Sequence, residues 1–500
     1  MRRLRPLFTA ALVAASFIVS PAAAGAADPV EAVRPKGSPD PAADPAGADP
    51  AALERAIEGH ARKLVEAANT RDEAARTALL RECFSEERYA VMPTTLRDLV
   101  AASGPLTLHH AETTGPAAHV FVKTGAGTWR DLQLYFEPGP PWRFTRMVFL
   151  AEVSEPVNLP NGEIGAPESL AWLNDYIDRL VANDDLSGGL LLVRDDEPIL
   201  RRSFGHADAA RTRPITDATR FNLGSGTKMF TAILVAMLAR EGRIDLDDPI
   251  IKYIPEIPWR EWAMKAKLRH LLTHTSGFGD YRNAEYKKVW GRITNLREVL
   301  PFALMDEPAF EPGAQVRYSN GGFLLLGLVI EKVTGEDYFD VLERRLYEPA
   351  GMASSGSFLR DGLTPDLADA LSRGAEGAWV PATLGLRGTS AGGSYSTLDD
   401  IWRFIKAFRS GALLGRSGTT EMLQPGLVDP DEGMQLGRGF MLWKDGQVAS
   451  FGHAGQAPGV NFEVRYYPGQ RITSVIFSNQ DNGAYDDLRK NVVKLVTGAR

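Results

Sequence analysis

A serine and a lysine stand three residues apart at the start of a long apolar segment, LGSGTKMFTAILVAMLAREG, which spans residues 223–242. Side chains at this spacing on a helix share one face, so Ser225 and Lys228 would be close together. A helix N-terminus offers free N–H groups and a partial positive charge, which stabilise an oxyanion. A partly buried lysine has a lowered pKa and can help deprotonate a hydroxyl. The pair therefore suggests a serine nucleophile and its activator, although an N-cap serine beside a surface lysine has the same spacing.

A tyrosine and an asparagine precede a second apolar helix, in VRYSNGGFLLLGLVIEKVTG at residues 316–335. Tyr318 and Asn320 are two residues apart, and in an extended segment their side chains face the same way. A phenol close to a lysine ammonium can ionise and carry protons. Tyr281 and Asn283 have the same spacing, but they lie in a polar loop that opens no apolar helix. The sequence therefore favours Tyr318 and Asn320.

The third motif, GHAGQAPGV at residues 452–460, places a histidine and a glycine at the start of a predicted strand. A glycine such as Gly455 lets a ligand backbone approach the strand edge. The backbone N–H of Gln456, which follows it, is a candidate oxyanion donor. Taken alone, a turn between strands with His453 on the surface explains these residues equally well.

In this order, the three motifs resemble those of the serine β-lactamase family in its class C-like branch. That branch includes penicillin-binding-protein-like D-Ala-D-Ala peptidases, D-aminopeptidases and β-lactamase-like esterases. The motifs are Ser225-x-x-Lys228, Tyr318-Ser319-Asn320 and His453-Ala454-Gly455. LLTHTSGFGDY (271–281) and TSAGGSYSTLDDIWRFIKAF (389–408) also resemble segments of that branch, and the resemblance covers roughly residues 167–497.

The resemblance implies catalysis through an acyl-enzyme, with no metal and no cofactor. Ser225 would attack a carbonyl group, and Lys228 together with Tyr318 would take its proton. The backbone N–H groups of Ser225 and Gln456 would hold the oxyanion. Asn320 would form a hydrogen bond with Lys228 or with the substrate. The partner is therefore expected to be a small-molecule or peptide substrate.

The third motif also bears on the choice of substrate. By resemblance, His453 stands where class C β-lactamases carry lysine and where several peptidases of the family carry histidine. The next residue in the family is usually threonine, whose hydroxyl faces a substrate carboxylate, whereas Ala454 has no hydroxyl. The resemblance thus implies an esterase or a D-amino-acid peptidase rather than a true β-lactamase. An alternative from a different class is a non-catalytic binding or sensor protein with a β-lactamase-like fold.

The elements that position these motifs are predicted to form an α/β (α+β) domain. It begins with a helix near 168–183 and two strands within 188–205. It ends with strands between 439 and 478 and a helix near 483–496. Such ends predict one antiparallel sheet flanked by both terminal helices. Residues from about 225 to 420 are mainly helical and rich in glycine, which predicts a helical insertion.

Three further regions precede that domain, which is assigned to residues 154–500. A small α+β domain is predicted over 51–153, because helical periodicity changes to strand alternation near residue 105. Its pattern resembles the cone-shaped fold of nuclear transport factor and ketosteroid isomerase. Residues 1–26 combine arginines, an apolar run and a small-residue cleavage site, so we expect export to the periplasm or out of the cell. Residues 27–50 are rich in Pro, Ala and Asp, which predicts a disordered linker.

The composition disfavours several other classes of protein. A net charge of −7 argues against a nucleic-acid-binding protein. Cys83 is the only cysteine, which excludes an intramolecular disulfide. After the leader, no stretch is long and apolar enough to span a bilayer. His109 and His110 are adjacent on a predicted strand and should face opposite sides of the sheet, so we expect no metal site there.

Overall fold

A computed structural model describes residues 50–498 of the chain, except residues 87, 89–91, 115–116, 154–158, 161–162, 361–363, 375–376, 429–434, 446–447 and 482. The predicted signal peptide, residues 1–26, lies outside the described residues. So does the predicted linker at 27–50, apart from Pro50, which begins the first helix. Within the described part of the chain, no helix is long and apolar enough to cross a membrane.

The N-terminal part of the described chain packs helices against an antiparallel sheet. Its elements are the helices Pro50–Asn69 (α1), Glu73–Cys83 (α2) and Met92–Ser103 (α3) and the strands Leu106–Thr114 (β1), Ala117–Thr124 (β2), Trp129–Phe136 (β3) and Phe144–Val153 (β4). The strands pair in the order β1-β2-β3-β4. Leu132, Leu134 and Phe136 alternate into the core, as a half-buried strand requires. The sequence pattern indicates α1 and α2 but not α3.

The two adjacent histidines of β1 do not face opposite sides of the sheet, and that expectation was wrong. The pairing register shifts between Leu108 and His110, which makes His109 the extra residue of a β-bulge. The bulge brings the two rings together, with their Nδ1 atoms 2.7 Å apart. Among the described residues, no group of three or more His, Cys, Asp or Glu side chains is arranged to hold a metal ion.

The remainder of the described chain contains further strands and helices. The strands are Gly188–Arg194 (β5), Glu197–Phe204 (β6), Phe221–Asn222 (β7), Gly356–Ser357 (β8), Leu371–Arg373 (β9), Trp379–Pro381 (β10), Ser394–Ser396 (β11), Gln435–Leu436 (β12), Met441–Asp445 (β13), Val448–Ala457 (β14), Val460–Tyr467 (β15) and Ile472–Ser478 (β16). The helices are Pro167–Ala182 (α4), Thr227–Arg240 (α5), Arg260–Lys265 (α6), Leu268–Leu272 (α7), Ala284–Val289 (α8), Leu296–Ala303 (α9), Asn320–Thr334 (α10), Tyr338–Leu342 (α11), Glu348–Ala350 (α12), Leu398–Arg409 (α13), Gly415–Met422 (α14) and Gly483–Thr497 (α15).

One antiparallel sheet joins the two ends of this domain, as the sequence predicts. Its seven strands run in the order β12-β13-β14-β15-β16-β5-β6. Side chains alternate between its faces: Leu190 and Leu192 pack with α4 and α15, whereas Leu191 and Val193 pack with the helical part of the domain. Because both faces are covered, β5 is apolar along nearly its whole length. The helices α5 to α14 and the short strands between them form the predicted insertion between β6 and β12.

The apolar clusters suggest that the small domain can be removed. One cluster contains residues 53–144 only, and the other two contain residues between 164 and 496. We predict that deleting residues 28–153 leaves a soluble C-terminal domain that unfolds cooperatively, because its core stays whole. Solubility, thermal unfolding and serine-directed fluorophosphonate labelling check this. Insoluble or unlabelled protein would mean instead that the small domain packs against the active-site domain.

Candidate active site

Ser225 lies in a short 3₁₀ turn, Gly224–Gly226, between β7 and α5. The turn depends on Gly224, whose φ of +48° is in the region that favours glycine. The side chain of Asn222 supports the turn, because its Oδ1 accepts a hydrogen bond from the Gly224 N–H at 2.8 Å. Ser225 itself is half-buried. The serine thus lies in the turn that leads directly into α5.

Lys228 is fully buried and is surrounded by oxygen acceptors. Its Nζ donates to Ser225 Oγ at 3.2 Å, to Asn320 Oδ1 at 2.7 Å and to the Ala391 carbonyl oxygen at 2.6 Å. These acceptors equal in number the hydrogens of an ammonium group. The serine, the second motif and the segment at 389–408 therefore meet at one nitrogen. The surface-lysine alternative for this motif is wrong.

Burial lowers the pKa of Lys228 well below its ordinary value. The positive charge of Arg282 lowers this pKa further, and the negative charge of Asp280 raises it. Aromatic rings occupy much of the remaining surroundings, with Nζ 4.7 Å from the ring centroid of Tyr318 and 5.6 Å from that of Phe323. A lysine with a lowered pKa loses its proton more readily, and in its neutral form it can accept a proton from the serine hydroxyl at its side.

The Tyr318 ring is held by a histidine that the three motifs did not include. His274 stacks on it with ring centroids 4.5 Å apart and planes 16° apart. His274 Nδ1 accepts the backbone N–H of Ser319 at 2.9 Å, which assigns the proton of the neutral ring to Nε2. Burial, with smaller contributions from Lys228 and His453, places the pKa of His274 well below its usual range, so the ring is neutral. The only sequence signal for His274 was its position in LLTHTSGFGDY.

Asn320 bridges Lys228 and a carboxylate. Its Oδ1 accepts from Lys228, while its Nδ2 donates to Asp280 Oδ2 at 2.7 Å. Ser319 caps α10 by accepting the N–H of Gly322 at 2.9 Å, which starts the helix at Asn320. Tyr318 and Asn320 both contact Lys228, as their spacing predicts.

The competing pair, Tyr281 and Asn283, has packing and capping roles. The Tyr281 hydroxyl is buried against Thr389 Oγ1 at 2.8 Å, and burial raises the pKa of this tyrosine above its usual value. Asn283 caps α8 by accepting the N–H of Tyr286. The structure therefore places Tyr318 and Asn320 against Lys228, and their catalytic roles stay a prediction.

His453 of the third motif is buried in β14 rather than exposed in a turn. Burial, and then the charge of Lys228, lower the pKa of His453 to about 3, so the ring is neutral at physiological pH. The carbonyl oxygen of Ala454 is within hydrogen-bond distance of Nδ1, which favours the tautomer that carries its proton there. The surface-histidine alternative is wrong.

Gly455 lets the backbone of the serine turn pack closely against β14, in addition to the close approach of a ligand that the sequence suggests. A Cβ atom at Gly455 would lie 2.0 Å from the Leu223 carbonyl oxygen and 2.8 Å from the backbone nitrogen of Ser225. A Cβ atom at Gly224 would lie 3.1 Å from the nitrogen of Gln456. The serine turn thus packs directly on β14. The two predicted oxyanion donors, the N–H groups of Ser225 and Gln456, lie at this contact.

A cavity of about 350 Å³ lies beside this site. Its walls are largely apolar and include Phe221, residues between Phe358 and Leu384, and Gly459 and Asn479. Among the described residues that line it, none is a predicted site residue. Asn222, which also lines it, is three residues before Ser225.

The fold agrees with comparisons to known proteins. The family model described as Beta-lactamase matches residues 173–498. Penicillin-binding protein 4* of Bacillus subtilis (strain 168) is 26% identical over 329 residues, which is 62% of this chain and 71% of that protein. A penicillin-binding protein structure from Bacillus halodurans is 30% identical, with a TM-score of 0.59 over 66% of this chain and 99% of that one.

A third similar structure is D-amino acid amidase from Ochrobactrum anthropi SV3 in complex with L-phenylalanine. It is 25% identical, with a TM-score of 0.55 over 66% of this chain and 99% of that one. This chain belongs to the Beta-lactamase family, whose members are generally serine hydrolases. The family and the fold class predicted from the sequence are thus confirmed, while the cone-like assignment of the small domain stays a prediction.

Proposed function

We propose that this protein is an exported serine hydrolase that cleaves an ester or an amide through an acyl-enzyme at Ser225. The observation that carries the proposal is the burial of Lys228 between Ser225 Oγ and Asn320 Oδ1. Such a lysine is activated to take a proton from the serine that it contacts. Export rests on the character of residues 1–26 alone.

The proposed reaction has two steps. Ser225 Oγ bonds to the substrate carbonyl carbon, the C=O π pair moves onto the oxygen, and the one hydroxyl proton passes to the Lys228–Tyr318 pair. The N–H groups of Ser225 and Gln456 hold the oxyanion. The bond to the leaving alcohol or amine then breaks as Tyr318 returns a proton to it. Water, deprotonated by the same groups, attacks the acyl-enzyme and releases the acid and the free serine. These steps use only groups of this chain and water.

The substrate class we propose is an ester or a D-amino-acid amide or peptide, rather than a β-lactam. His453 is neutral at the pH of the reaction, and Ala454 presents only a methyl group, so neither attracts a carboxylate strongly. The likeness to D-amino acid amidase from Ochrobactrum anthropi is consistent with an amide substrate.

A fluorophosphonate probe tests the proposed activity, together with a screen of p-nitrophenyl esters, D-amino-acid anilides, D-Ala-D-Ala peptides and nitrocefin. A serine hydrolase is expected to be labelled at Ser225 and to turn over at least one of these substrates. A protein that binds without catalysis should do neither. That result would favour the binding or sensor alternative.

We predict that neutral substrates are preferred over carboxylated ones. A hydrogen bond to a charged group contributes about 1.5–3 kcal/mol, or roughly ten- to a hundredfold in affinity, and this site lacks a threonine hydroxyl to supply it. An N-acyl D-Ala-D-Ala peptide and its C-terminal amide form a matched pair for measuring kcat/KM. The amide should react faster across neutral pH, because the pKa of His453, about 3, leaves the ring uncharged there. Faster cleavage of the free acid would show that another group, such as Arg282, binds the carboxylate.

A further inference from the structure

The loop at residues 274–282 forms hydrogen bonds with the second motif, Tyr318-Ser319-Asn320. Gly279 accepts a hydrogen bond through its carbonyl oxygen from Ser319 Oγ at 3.1 Å. The next residue, Asp280, accepts from Asn320 Nδ2 at 2.7 Å. Asp280 and Lys228 therefore lie at opposite ends of one buried amide group.

We infer that Asp280 is a positioning residue of this site: its carboxylate orients the Asn320 amide so that the amide oxygen faces Lys228. Arg282 in turn holds the carboxylate in place. The inference rests on the proposed function, because the lysine that it serves is the proposed activator of Ser225.

The orientation of an asparagine amide is decided by its hydrogen-bond partners, since its oxygen and its NH₂ group are almost the same size. An ionised carboxylate only accepts hydrogen bonds, so Asp280 requires the NH₂ end of Asn320. The oxygen end is then left for Lys228 Nζ, at 2.7 Å. The reversed amide would place a donor against the lysine nitrogen and an oxygen against the carboxylate, which is unfavourable at both ends.

Arg282 and the loop backbone keep Asp280 ionised and fixed. The guanidinium donates to Asp280 Oδ2 from Nε at 3.0 Å and from Nη2 at 2.9 Å, and the Arg282 backbone N–H donates to Oδ1 at 2.8 Å. Burial tends to raise the pKa of Asp280, but Arg282, the loop backbone and Asn320 outweigh it and hold this pKa below its usual value. The carboxylate is therefore a constant acceptor at neutral pH.

The two loop charges act on Lys228 in opposite directions, since Asp280 raises its pKa and Arg282 lowers it. The titratable or charged groups that face the lysine are His274, Asp280, Arg282, Tyr318 and His453. Both histidines stay neutral at the pH of the reaction because burial lowers the pKa of each. The pKa of Lys228 thus depends on the opposing charges of Asp280 and Arg282. A single substitution that removes either charge would shift this pKa.

The kinetic test compares Asp280→Ala with Asp280→Asn, whose amide oxygen can still accept from Asn320. We expect Asp280→Ala to lower kcat by about ten- to a hundredfold, the cost of a misplaced catalytic group, with KM changed by only a few-fold. Asp280→Asn should recover most of that loss. The matched control is Glu256→Ala, which removes the carboxylate of an exposed pair with Arg297 and should leave kcat unchanged. A kcat for Asp280→Ala equal to that of the control would overturn the inference.

A titration of Lys228 provides a readout that does not depend on turnover. In ¹³C-lysine-labelled protein, with the signal assigned by its loss in Lys228→Arg, we expect the midpoint to fall in Asp280→Asn and to rise in Arg282→Gln. The shifts should be roughly one pH unit, the scale of a nearby charge, and the acidic limb of the kcat/KM profile should move with them. Shifts in the same direction, or none, would contradict the inference.

The two proposals fail in different ways. A wild-type protein that neither labels nor turns over substrate would refute the proposed function, while opposite shifts of the Lys228 midpoint would still support the arrangement around Asp280. A fully active wild-type protein with unchanged Asp280→Ala kinetics would refute the positioning role and leave the proposed function intact.

Discussion

Replacing Ser225 with alanine is expected to abolish both hydrolysis and fluorophosphonate labelling while the fold is kept. The hydroxyl is half-buried and its hydrogen bond to Lys228 is long, at 3.2 Å, so its loss should hardly change stability. Loss of a serine nucleophile in a comparable hydrolase costs on the order of 10⁶-fold in kcat. Measurements of kcat, labelling and the thermal unfolding midpoint on the same preparation check the prediction.

Lys228→Ala is the companion variant, and it should cost nearly as much, because residues that act as one unit are not additive. The double variant should therefore be no slower than either single one. Lys228→Ala also leaves Asn320 Oδ1 and the Ala391 carbonyl oxygen without their donor, so its unfolding midpoint should fall. Wild-type turnover by Ser225→Ala would show that the reaction uses a different nucleophile.

Tyr318→Phe is expected to lower kcat by about 10²–10⁴-fold, the usual contribution of a general acid–base group. The phenylalanine keeps the ring that stacks on His274 and faces Lys228, so the structure should persist. Tyr281→Phe is the matched control, because Tyr281 also stands two residues before an asparagine and its hydroxyl is buried. That change breaks the hydrogen bond to Thr389 and should lower stability while leaving kcat within a few-fold of wild type.

Steady-state rates and thermal unfolding of the two variants, measured side by side, separate the roles. Similar losses of kcat in both would mean that the choice of Tyr318 over Tyr281 was mistaken. A larger loss of stability in Tyr281→Phe than in Tyr318→Phe is expected, because Tyr281 is buried and Tyr318 is half-buried.

Local patterns were enough to predict most of the architecture. Strand alternation indicated β3, helical periodicity indicated α4 and α15, and the order of elements predicted one sheet with a helical insertion. These inferences succeed because burial on one or both faces constrains every second or every third to fourth side chain. The bulge at His109 escaped them because one extra residue leaves no signature in the apolar pattern. The helix α3 was missed although Met92, Leu96 and Leu99 recur at helical spacing.

The sequence by itself determined which groups are available for chemistry. It places Ser225 and Lys228 one helical turn apart and Tyr318 and Asn320 on one side of an extended segment. It also places Gly455 two residues after His453. Spacing within a few residues settles such local geometry. Only the tertiary structure decided what these groups contact. Lys228 meets Asn320 and Ala391 across 92 and 163 residues of chain, and no local pattern encodes those distances.

The same holds for the groups that give the site its electrostatic character. His274 and Asp280 are ordinary loop residues in the sequence, and they become a stacking partner and an amide anchor only when the loop folds against α10. The third motif by itself left open whether His453 is a surface residue, and it is the packing of the domain that buries it. Burial, which lowers the pKa values of Lys228 and His453, is a property of the whole packed domain, so it appears only when distant segments exclude water together.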